Sequence, residues 1–397
     1  MSRTQMILDA IIQSALVGFV GSLPVSIAFC QISLGVGLLA WLIRSVLFGG
    51  YGITWTPLDK GFILFVAACL LSTVFSIAPL ASLVSMKKFY LIGAVYFVGF
   101  NVASRERVDE LMRLFVLMSA LTGLYGIVMY IFGYQTRLLG VQTMAMTSGG
   151  ILMLSAFLGY PLFVNSLNKK GLLASIIAVF AASAILGSLV LNKTVSTWAG
   201  LLVGAGAYVT KKWIRLVSVI ILASLLSLVL LANMKYSEKF FNYSKMDSWQ
   251  ARVRMWTIGW KLIKQRPILG TGLIDLGELY QKERASEDIQ LHGNNRRVGH
   301  LHNNFIHITA ITGFLGLAAF LYMWVIILTF IKNGLLSGNG ERLQWVSYLA
   351  VVIGFLVNGM AEWNFGDSEV VTILWFVIGL ALASWRLDRR AMTIEPS

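Results

Sequence analysis

A long polar stretch decides how this sequence is organised: it begins KYSEKFFNYSKMDSWQARVRMWTIGWKLIKQRPILGTGL at residues 235–273 and ends NNRRVGHLHNNFIH at residues 294–307. The rest of the chain is mostly apolar, and segments long enough to cross a bilayer lie on both sides of the stretch. The stretch contains all four histidines of the protein, His292, His300, His302 and His307. We therefore expect a water-facing loop between membrane-spanning helices, with the chemistry concentrated in that loop.

The composition is that of a polytopic membrane protein. Of the 397 residues, 57% are hydrophobic and 13% are charged, whereas soluble domains have about half apolar and about a quarter charged residues. Hydrocarbon offers the backbone no hydrogen-bond partners, so apolar runs of about 20 residues predict helices; the short alternating segments of a β-barrel are not seen. The net charge of +14 favours anionic membrane lipid or a phosphate-bearing substrate as the partner, and no nucleic acid is expected.

The apolar runs predict an all-α polytopic membrane protein with about 12 transmembrane helices. Their approximate bounds are 7–23, 25–47, 60–77, 88–103, 108–133, 148–167, 171–191, 196–210, 213–233, 303–331, 343–361 and 369–386. Residues 1–233 then hold helices 1 to 9, residues 234–302 form one large loop with an amphipathic helix, and residues 303–397 hold helices 10 to 12 and a tail. An even number of spans places both termini on the same side of the membrane.

Lysine and arginine in short connections predict the orientation, because such charges favour the cytoplasmic side. One set of connections is positively charged throughout: Arg3, Arg44, Arg105 with Arg107, Lys169–Lys170, Lys211–Lys212 with Arg215, Lys332 with Arg342, and Arg386 with Arg389–Arg390. We expect this set and both termini in the cytoplasm, and the large loop on the outer face.

Four cations in short outer connections oppose this rule: Lys87, Lys88, Arg137 and Lys193. Each could pair with lipid phosphate or with one of three acidic residues near the last span, Glu362, Asp367 and Glu369. Because the four cations share one depth and face a basic loop, we favour a common site for an anion.

Residues Ser248–Arg266 predict a helix in the large loop, followed by a stop at Pro267. An apolar stripe recurs at steps of three and four residues: Val253, Trp256, Trp260 and Ile263. Basic residues beside tryptophan are typical of a helix in the membrane interface, and three of them lie off this stripe: Arg252, Lys261 and Lys264. Arg254 neighbours the stripe, so we expect its side chain to point inward.

The turn RPILGTGL at 266–273 follows this helix. Gly270 and Gly272 can adopt backbone angles closed to other residues, which would allow the backbone to approach a ligand. The mixed charges of residues 274–299 predict a solvated segment, in which Arg296 and Arg297 could still face the site.

The sharpest feature is HLHNNF at 300–305. Asn303 or Asn304 suits a helix N-cap, which places His302 at the border between loop and membrane. Because imidazole ordinarily titrates near neutral pH, a histidine there can take a proton from a hydroxyl nucleophile. Two alternatives are a solvated interfacial histidine and a metal site built from His300, His302 and His307. Their spacing matches no zinc motif, so no metal is expected.

Two motifs together resemble the signature region of the bacterial O-antigen ligase superfamily. The first is R-x-x-x-W at Arg252 to Trp256, or Arg254 in the neighbouring frame, followed by R-P-I-L-G-T-G; the second is H-N-N-F-I-H-I-T-A-I-T-G-F-L-G-L from His302. The topology, with one large loop late in the chain, is also similar. The superfamily includes O-antigen polymerases and some O-linked oligosaccharyltransferases.

The resemblance implies a membrane-embedded glycosyltransferase of the GT-C type in the bacterial inner membrane. It implies a glycan donor on undecaprenyl pyrophosphate, a lipid A–core acceptor of lipopolysaccharide on the periplasmic face, and no metal or other cofactor. His302 would activate the acceptor hydroxyl and Arg254 would bind the pyrophosphate. The other expected substrate-binding residues are Lys87, Lys88, Arg137, Lys193, Arg252, Arg297 and Asn303.

The chain departs from the family at one place. Family members often carry Ser/Thr-Arg-Gly before the eighth span, whereas this sequence has Val195 where the arginine would align. Lys193 is close and basic, so we expect it to substitute.

Three functions follow from this reading. The first is a ligase. Its diphosphate leaving group gains negative charge in the transition state, and fixed cations would suffice to stabilise that charge, so we expect few inward carboxylates. A polymerase or an O-linked oligosaccharyltransferase would use the same donor. A lipid or glycan transporter without chemistry would need paired ionisable residues at mid-membrane, and it often has two related halves; the predicted spans show neither.

Overall fold

The computed structural model describes residues 2–49, 54–168, 171–209, 244–283, 299–337 and 342–394. Within these ranges the regular structure is helical and no strand is present. The α-helices are α1 (Arg3–Ser22), α2 (Ile27–Phe48), α3 (Asp59–Val74), α4 (Pro79–Ser85), α5 (Gly93–Asn101), α6 (Arg105–Ile131), α7 (Ala145–Asn168), α8 (Leu172–Asn192), α9 (Val195–Ala205), α10 (Ser244–Gln265), α11 (Gly277–Glu283), α12 (Asn304–Leu336), α13 (Arg342–Asn358) and α14 (Ser368–Ile394). Two 3₁₀ helices cover Met86–Ile92 and Gly206–Tyr208.

Eight helical segments in the described ranges are long and apolar enough to cross a bilayer. The all-α, multi-pass character predicted from the sequence is therefore confirmed. The count of about twelve spans stays a prediction. The third, eighth and eleventh predicted spans correspond to α3, α9 and α13, which are shorter helices, and the ninth, at 213–233, lies outside the described residues.

The predicted spans 60–77 and 88–103 leave residues 78–87 as a connecting loop, and this part of the prediction is wrong because the segment is helical. Pro79 begins α4, the 3₁₀ helix Met86–Ile92 follows directly, and α5 continues to Asn101. Proline suits the first turn of a helix since its missing N–H has no intrahelical partner there. Lys87 and Lys88 consequently lie on a helical surface and not in a loop.

Helix α14 is the centre of the fold. Of its membrane-length window, 83% is buried, against half or less for each of the other seven segments. Gly379 allows α14 to approach α5 closely, because a Cβ atom there would lie 3.0 Å from the Val95 carbonyl oxygen. Small residues at such crossings are typical of packing between membrane helices.

Helix α12 is broken at Gly313, where the backbone turns to φ 68° and ψ −173°. The turn 266–273 fills this break with four backbone hydrogen bonds: Thr271 N to Ala310 O (3.0 Å), Gly272 N to Ile311 O (2.9 Å), Phe314 N to Pro267 O (2.7 Å) and Leu315 N to Ile268 O (3.2 Å). Groups that the broken helix leaves unpaired are thereby satisfied, as the interior of a membrane protein requires.

The two glycines of this turn serve the same junction. Gly270 and Gly272 have positive φ angles of 69° and 98°. A Cβ atom would clash with the α12 backbone at Gly270 and with the Ser76 side chain at Gly272. The sequence predicted that the backbone of this turn approaches a ligand closely. The structure shows a close approach, but to protein: the broken helix α12 and the segment that ends α3.

Candidate functional site

His302 is held at the N-terminal end of α12 by its neighbours in the chain. Asn303 is the N-cap of α12, as predicted: its side chain accepts a hydrogen bond from Ile306 N (3.0 Å) and donates one to Met360 O (2.6 Å). His302 itself has a left-handed backbone with φ 44°. A non-glycine residue in this region is strained, and such strain persists where the surroundings enforce it.

The His302 imidazole is bound to a buried carboxylate that lies 60 residues later in the chain. Its Nδ1 atom is 2.9 Å from Glu362 Oε2. The other carboxylate oxygen accepts hydrogen bonds from Arg252 Nη2 at 2.5 Å and from Ser196 Oγ at 3.3 Å. Glu362 is 5% exposed, and a buried carboxylate requires such partners. One side chain therefore joins the histidine segment to α9 and α10.

This contact favours one tautomer of the neutral imidazole. When Nδ1–H donates a hydrogen bond to the Glu362 carboxylate, the lone pair of the ring is on Nε2. The ring can therefore take a proton at Nε2 while the carboxylate stabilises the resulting positive charge.

Helix α10 confirms the predicted helix of the large loop, but its buried face coincides only in part with the predicted stripe, of which Ile263 is buried and Trp256 is half-buried. Val253 and Trp260 of the predicted stripe are exposed, and the buried residues are Ala251, Met255, Ile258, Leu262 and Ile263. Arg252, expected off the stripe, contacts Glu362. Residues two apart lie about 200° apart around a helix, so half-buried Arg254 projects from a different side.

Arg137 supplies a second guanidinium group near Glu362. It donates from Nε to Asn192 O (3.2 Å) and from Nη2 to Thr194 Oγ1 (2.8 Å). Burial lowers the pKa of Arg137, the Glu362 carboxylate raises it, and the Arg252 guanidinium lowers it. Arg137 therefore lies within electrostatic reach of both groups.

Lys193 occupies a different place from the one expected. It ends α8 in a left-handed conformation with φ 58°, and its exposed side chain donates to Tyr130 Oη at 3.0 Å. Val195, which stands in place of the family arginine, is the first residue of α9. The residue before it, Thr194, accepts a hydrogen bond from Arg137.

The remaining predicted residues divide into two groups. Both Lys87 and Lys88 are exposed, but Lys88 donates to Gly366 O at 3.1 Å and lines the cavity beside His302, whereas Lys87 does not line it. Arg297 lies outside the described residues. The structure thus brings His302, Asn303, Arg252, Arg137 and Lys88 to one end of the helices.

A cavity of about 820 Å³ opens beside His302 and Glu362. Four carboxylate residues line it, Asp275, Glu362, Asp367 and Glu369, and Lys88 is the one lysine or arginine among its lining residues in the described chain. The expectation of few inward carboxylates is therefore wrong. Three of the four lie within residues 362–369, which include the turn after α13 and the first turn of α14. Acidic residues at the end of a buried membrane helix are a signal for such a site.

His300 packs against the catalytic candidate, with 4.4 Å between the ring centroids of His300 and His302. The pKa of His300 is lowered to about 4, chiefly by burial and also by the neighbouring His302, against the opposing effect of Glu362 and two aspartates. His300 is therefore neutral at physiological pH. Among the described residues, no group of three or more His, Cys, Asp or Glu side chains is placed to hold one metal ion.

Comparison with known proteins agrees with the motifs in the loop. The model of the O-antigen ligase family matches residues 176–321. A "Putative polysaccharide ligase" of Rickettsia bellii (strain RML369-C) is 23% identical over 350 residues, which is 84% of this chain and 80% of that protein. Another of Rickettsia prowazekii (strain Madrid E) is 23% identical over 340 residues, 81% of this chain and 79% of that protein. The resemblance stated from the sequence is confirmed.

Proposed function

We propose that this chain, which is similar to the O-antigen ligase family, is a membrane glycosyltransferase. The donor would be a glycan on undecaprenyl pyrophosphate, and the acceptor a hydroxyl group of a lipid A–core oligosaccharide. The observation that carries the proposal is the contact of His302 with Glu362, which in turn contacts Arg252. It places a proton acceptor next to a cation at one end of the helices. The transfer needs both, the first to take the hydroxyl proton and the second to stabilise the leaving diphosphate.

In the proposed step, the acceptor hydroxyl oxygen attacks the anomeric carbon of the donor glycan. A new C–O bond forms, and the bond between that carbon and the diphosphate oxygen breaks with its electron pair on the diphosphate. The hydroxyl proton moves to His302 Nε2, and Glu362 stabilises the imidazolium at Nδ1. Loss of such a base costs typically 10²- to 10⁴-fold in rate.

The diphosphate is assigned to the side of Glu362 that carries Arg252 and Arg137. Arg252 contacts Glu362 and Arg137 lies within electrostatic reach of it, so the guanidinium groups outnumber the carboxylate at this position. In a partly dry site, fixed cations stabilise the charge that develops on a leaving diphosphate more than solvated cations do. Arg254 remains a proposed donor-binding residue from the motif, and Arg252 is the stronger assignment because of its contact with Glu362.

We assign the protein to the bacterial inner membrane, with both termini in the cytoplasm and His302 facing the periplasm. The support is the distribution of lysine and arginine between short connections. Both native cysteines, Cys30 and Cys69, are buried, so single introduced cysteines can report topology. A membrane-impermeant maleimide should label Gln265→Cys in spheroplasts and should label Ala103→Cys only after lysis. The reverse pattern would overturn the orientation.

The function is tested with purified protein in lipid nanodiscs, a defined undecaprenyl-pyrophosphate-linked glycan, lipopolysaccharide that lacks O-antigen, and a metal chelator. Glycan on lipid A–core, made by the wild type and lost in His302→Ala, is the expected result. Longer lipid-linked glycan would identify a polymerase. A wild-type protein that makes neither product, but moves the donor across a proteoliposome membrane, would overturn the proposal in favour of a transporter.

A further inference from the structure

The cavity beside His302 has an acidic section that the proposed chemistry does not use. Asp367 and Glu369 line it at the start of α14, and Asp275 lines it from the loop that follows the turn 266–273. Asp367 is held in place: its Oδ2 accepts a hydrogen bond from Thr147 Oγ1 at 2.6 Å, and its Oδ1 accepts from the backbone N–H of Glu369 at 3.1 Å. Positioned carboxylates of this kind accept hydrogen bonds from hydroxyl groups.

Two buried polar side chains that line the same cavity have an atom without a hydrogen bond in the described part of the protein. His307 is 4% exposed and Asn358 is 2% exposed. The atoms concerned are Nδ1 of His307 and Nδ2 of Asn358. The amide oxygen of Asn358, by contrast, accepts a hydrogen bond from Asn364 at 2.8 Å. Leaving buried polar atoms unpaired is costly, and a bound ligand with polar groups would satisfy them.

An aromatic surface completes this section. Trp363 is half-buried and lines the cavity, and the ring of His307 supports it with 4.0 Å between centroids. Binding sites for small polar ligands combine an aromatic wall with a few placed polar groups. A sugar ring matches this arrangement, since it has an apolar face and several hydroxyl groups at its edge.

We infer that the section formed by Asp367, Glu369, Asn358, His307 and Trp363 is the subsite for the acceptor sugar, and that it selects a ring without phosphate or carboxylate groups on the side facing it. The inference rests on the proposed function, because it names the substrate that His302 would deprotonate. The cavity is lined by His302 and Glu362 but by neither described arginine of the diphosphate side. A molecule in it therefore meets the base and not the guanidinium groups, which is the position of the acceptor.

The charges explain the selectivity. Asp275 and Asp367 outnumber Lys88 on this section, and Lys88 already donates to Gly366 O. An anionic group next to the accepting hydroxyl would be repelled by these carboxylates. The diphosphate is excluded from this section for the same reason, so charge alone sorts the two substrates.

The test compares Asp367→Asn and Glu369→Gln with the control Glu278→Gln, which removes an exposed carboxylate on α11 outside the cavity. Asparagine caps a helix as well as aspartate does, so Asp367→Asn should keep the fold. Both cavity variants should raise the KM for the lipid A–core acceptor about tenfold, with an unchanged KM for the donor. The double variant should gain relative activity, by about tenfold or more, on an acceptor that carries a phosphate beside its accepting hydroxyl.

A second measurement separates this inference from the proposed function. Binding of the free core oligosaccharide, without donor, is followed by saturation-transfer NMR on wild-type protein in nanodiscs and on the same variants. Binding that weakens in the cavity variants but not in Glu278→Gln supports the subsite even if the wild type transfers no glycan. Equal binding by all proteins, or an effect on the donor KM alone, would overturn it.

Discussion

His302 and Glu362 lie 60 positions apart in the chain, and the side chains meet with 2.9 Å between Nδ1 and Oε2. The histidine belongs to the end of the large loop, and the carboxylate belongs to the turn between α13 and α14. Because the same carboxylate is bound to Arg252, a change at Arg252 or Glu362 should affect both the chemistry and the stability of this end of the protein.

Replacing His302 should remove the base while the fold is kept. We expect His302→Ala to lower the transfer rate about 10²- to 10⁴-fold, since a general base contributes this much. Transfer is measured with saturating donor and acceptor, and the amount of folded protein is checked by thermal unfolding in detergent. A variant that keeps its stability and transfers within twofold of the wild type would remove His302 from the mechanism.

The two arginines of the R-V-R sequence should differ. Arg252→Gln removes the guanidinium group that contacts Glu362. Arg254→Gln removes a guanidinium group that leaves α10 about 200° further around the helix axis. We expect Arg252→Gln to reduce kcat/KM for the donor at least tenfold more than Arg254→Gln does. Donor titrations at fixed acceptor measure this. Equal losses in the two variants, or a larger loss in Arg254→Gln, would contradict the assignment.

Arg252 and Glu362 should be coupled in stability. Their side chains are 17% and 6% exposed, and removal of one partner of a buried ion pair costs about 3–5 kcal/mol because the other charge is left uncompensated. Glu362→Gln and Arg252→Gln should each lower the unfolding temperature clearly. The double variant should unfold at a higher temperature than the sum of the two losses predicts; strict additivity would show that the pair is not coupled.

The turn 266–273 should tolerate no side chain at Gly272. Gly272→Ala combines a positive φ with a clash against Ser76, so we expect a loss of more than about 1–3 kcal/mol of unfolding free energy. Gly133→Ala is the matched control, since Gly133 has φ 79° but no atom within 4 Å of an added Cβ. The control separates backbone strain from the clash. Equal unfolding temperatures for the two variants would mean that the turn does not depend on close packing.

Stability should fall as the pH is lowered, in part because of His300. Its pKa is about 4 in the folded protein, chiefly because of burial, and about 6.5 in an unfolded chain. The unfolded state therefore binds a proton first, so stability present above about pH 6.5 is lost progressively down to about pH 4. His300→Gln should show a shallower fall of unfolding temperature in this window and the wild-type slope above pH 7. Superimposable curves for the two proteins would contradict the burial of His300.

Local patterns determined the membrane character of the chain, the helix that became α10, the N-cap at Asn303 and the resemblance to the O-antigen ligase family. Each of these depends on neighbouring residues, because hydropathy, helical period and capping act within a few turns of the chain. The same patterns placed His302 at the end of α12, next to its cap.

The tertiary structure alone decided which partners meet. It brought Arg252 into contact with Glu362, joined Arg137 to Thr194, and placed the carboxylates of 362–369 around the cavity. It also gave Gly270 and Gly272 the broken helix α12 as their neighbour. These choices depend on which helix faces pack together, and a buried charge finds its partner across the whole chain, so no local period or composition can specify them.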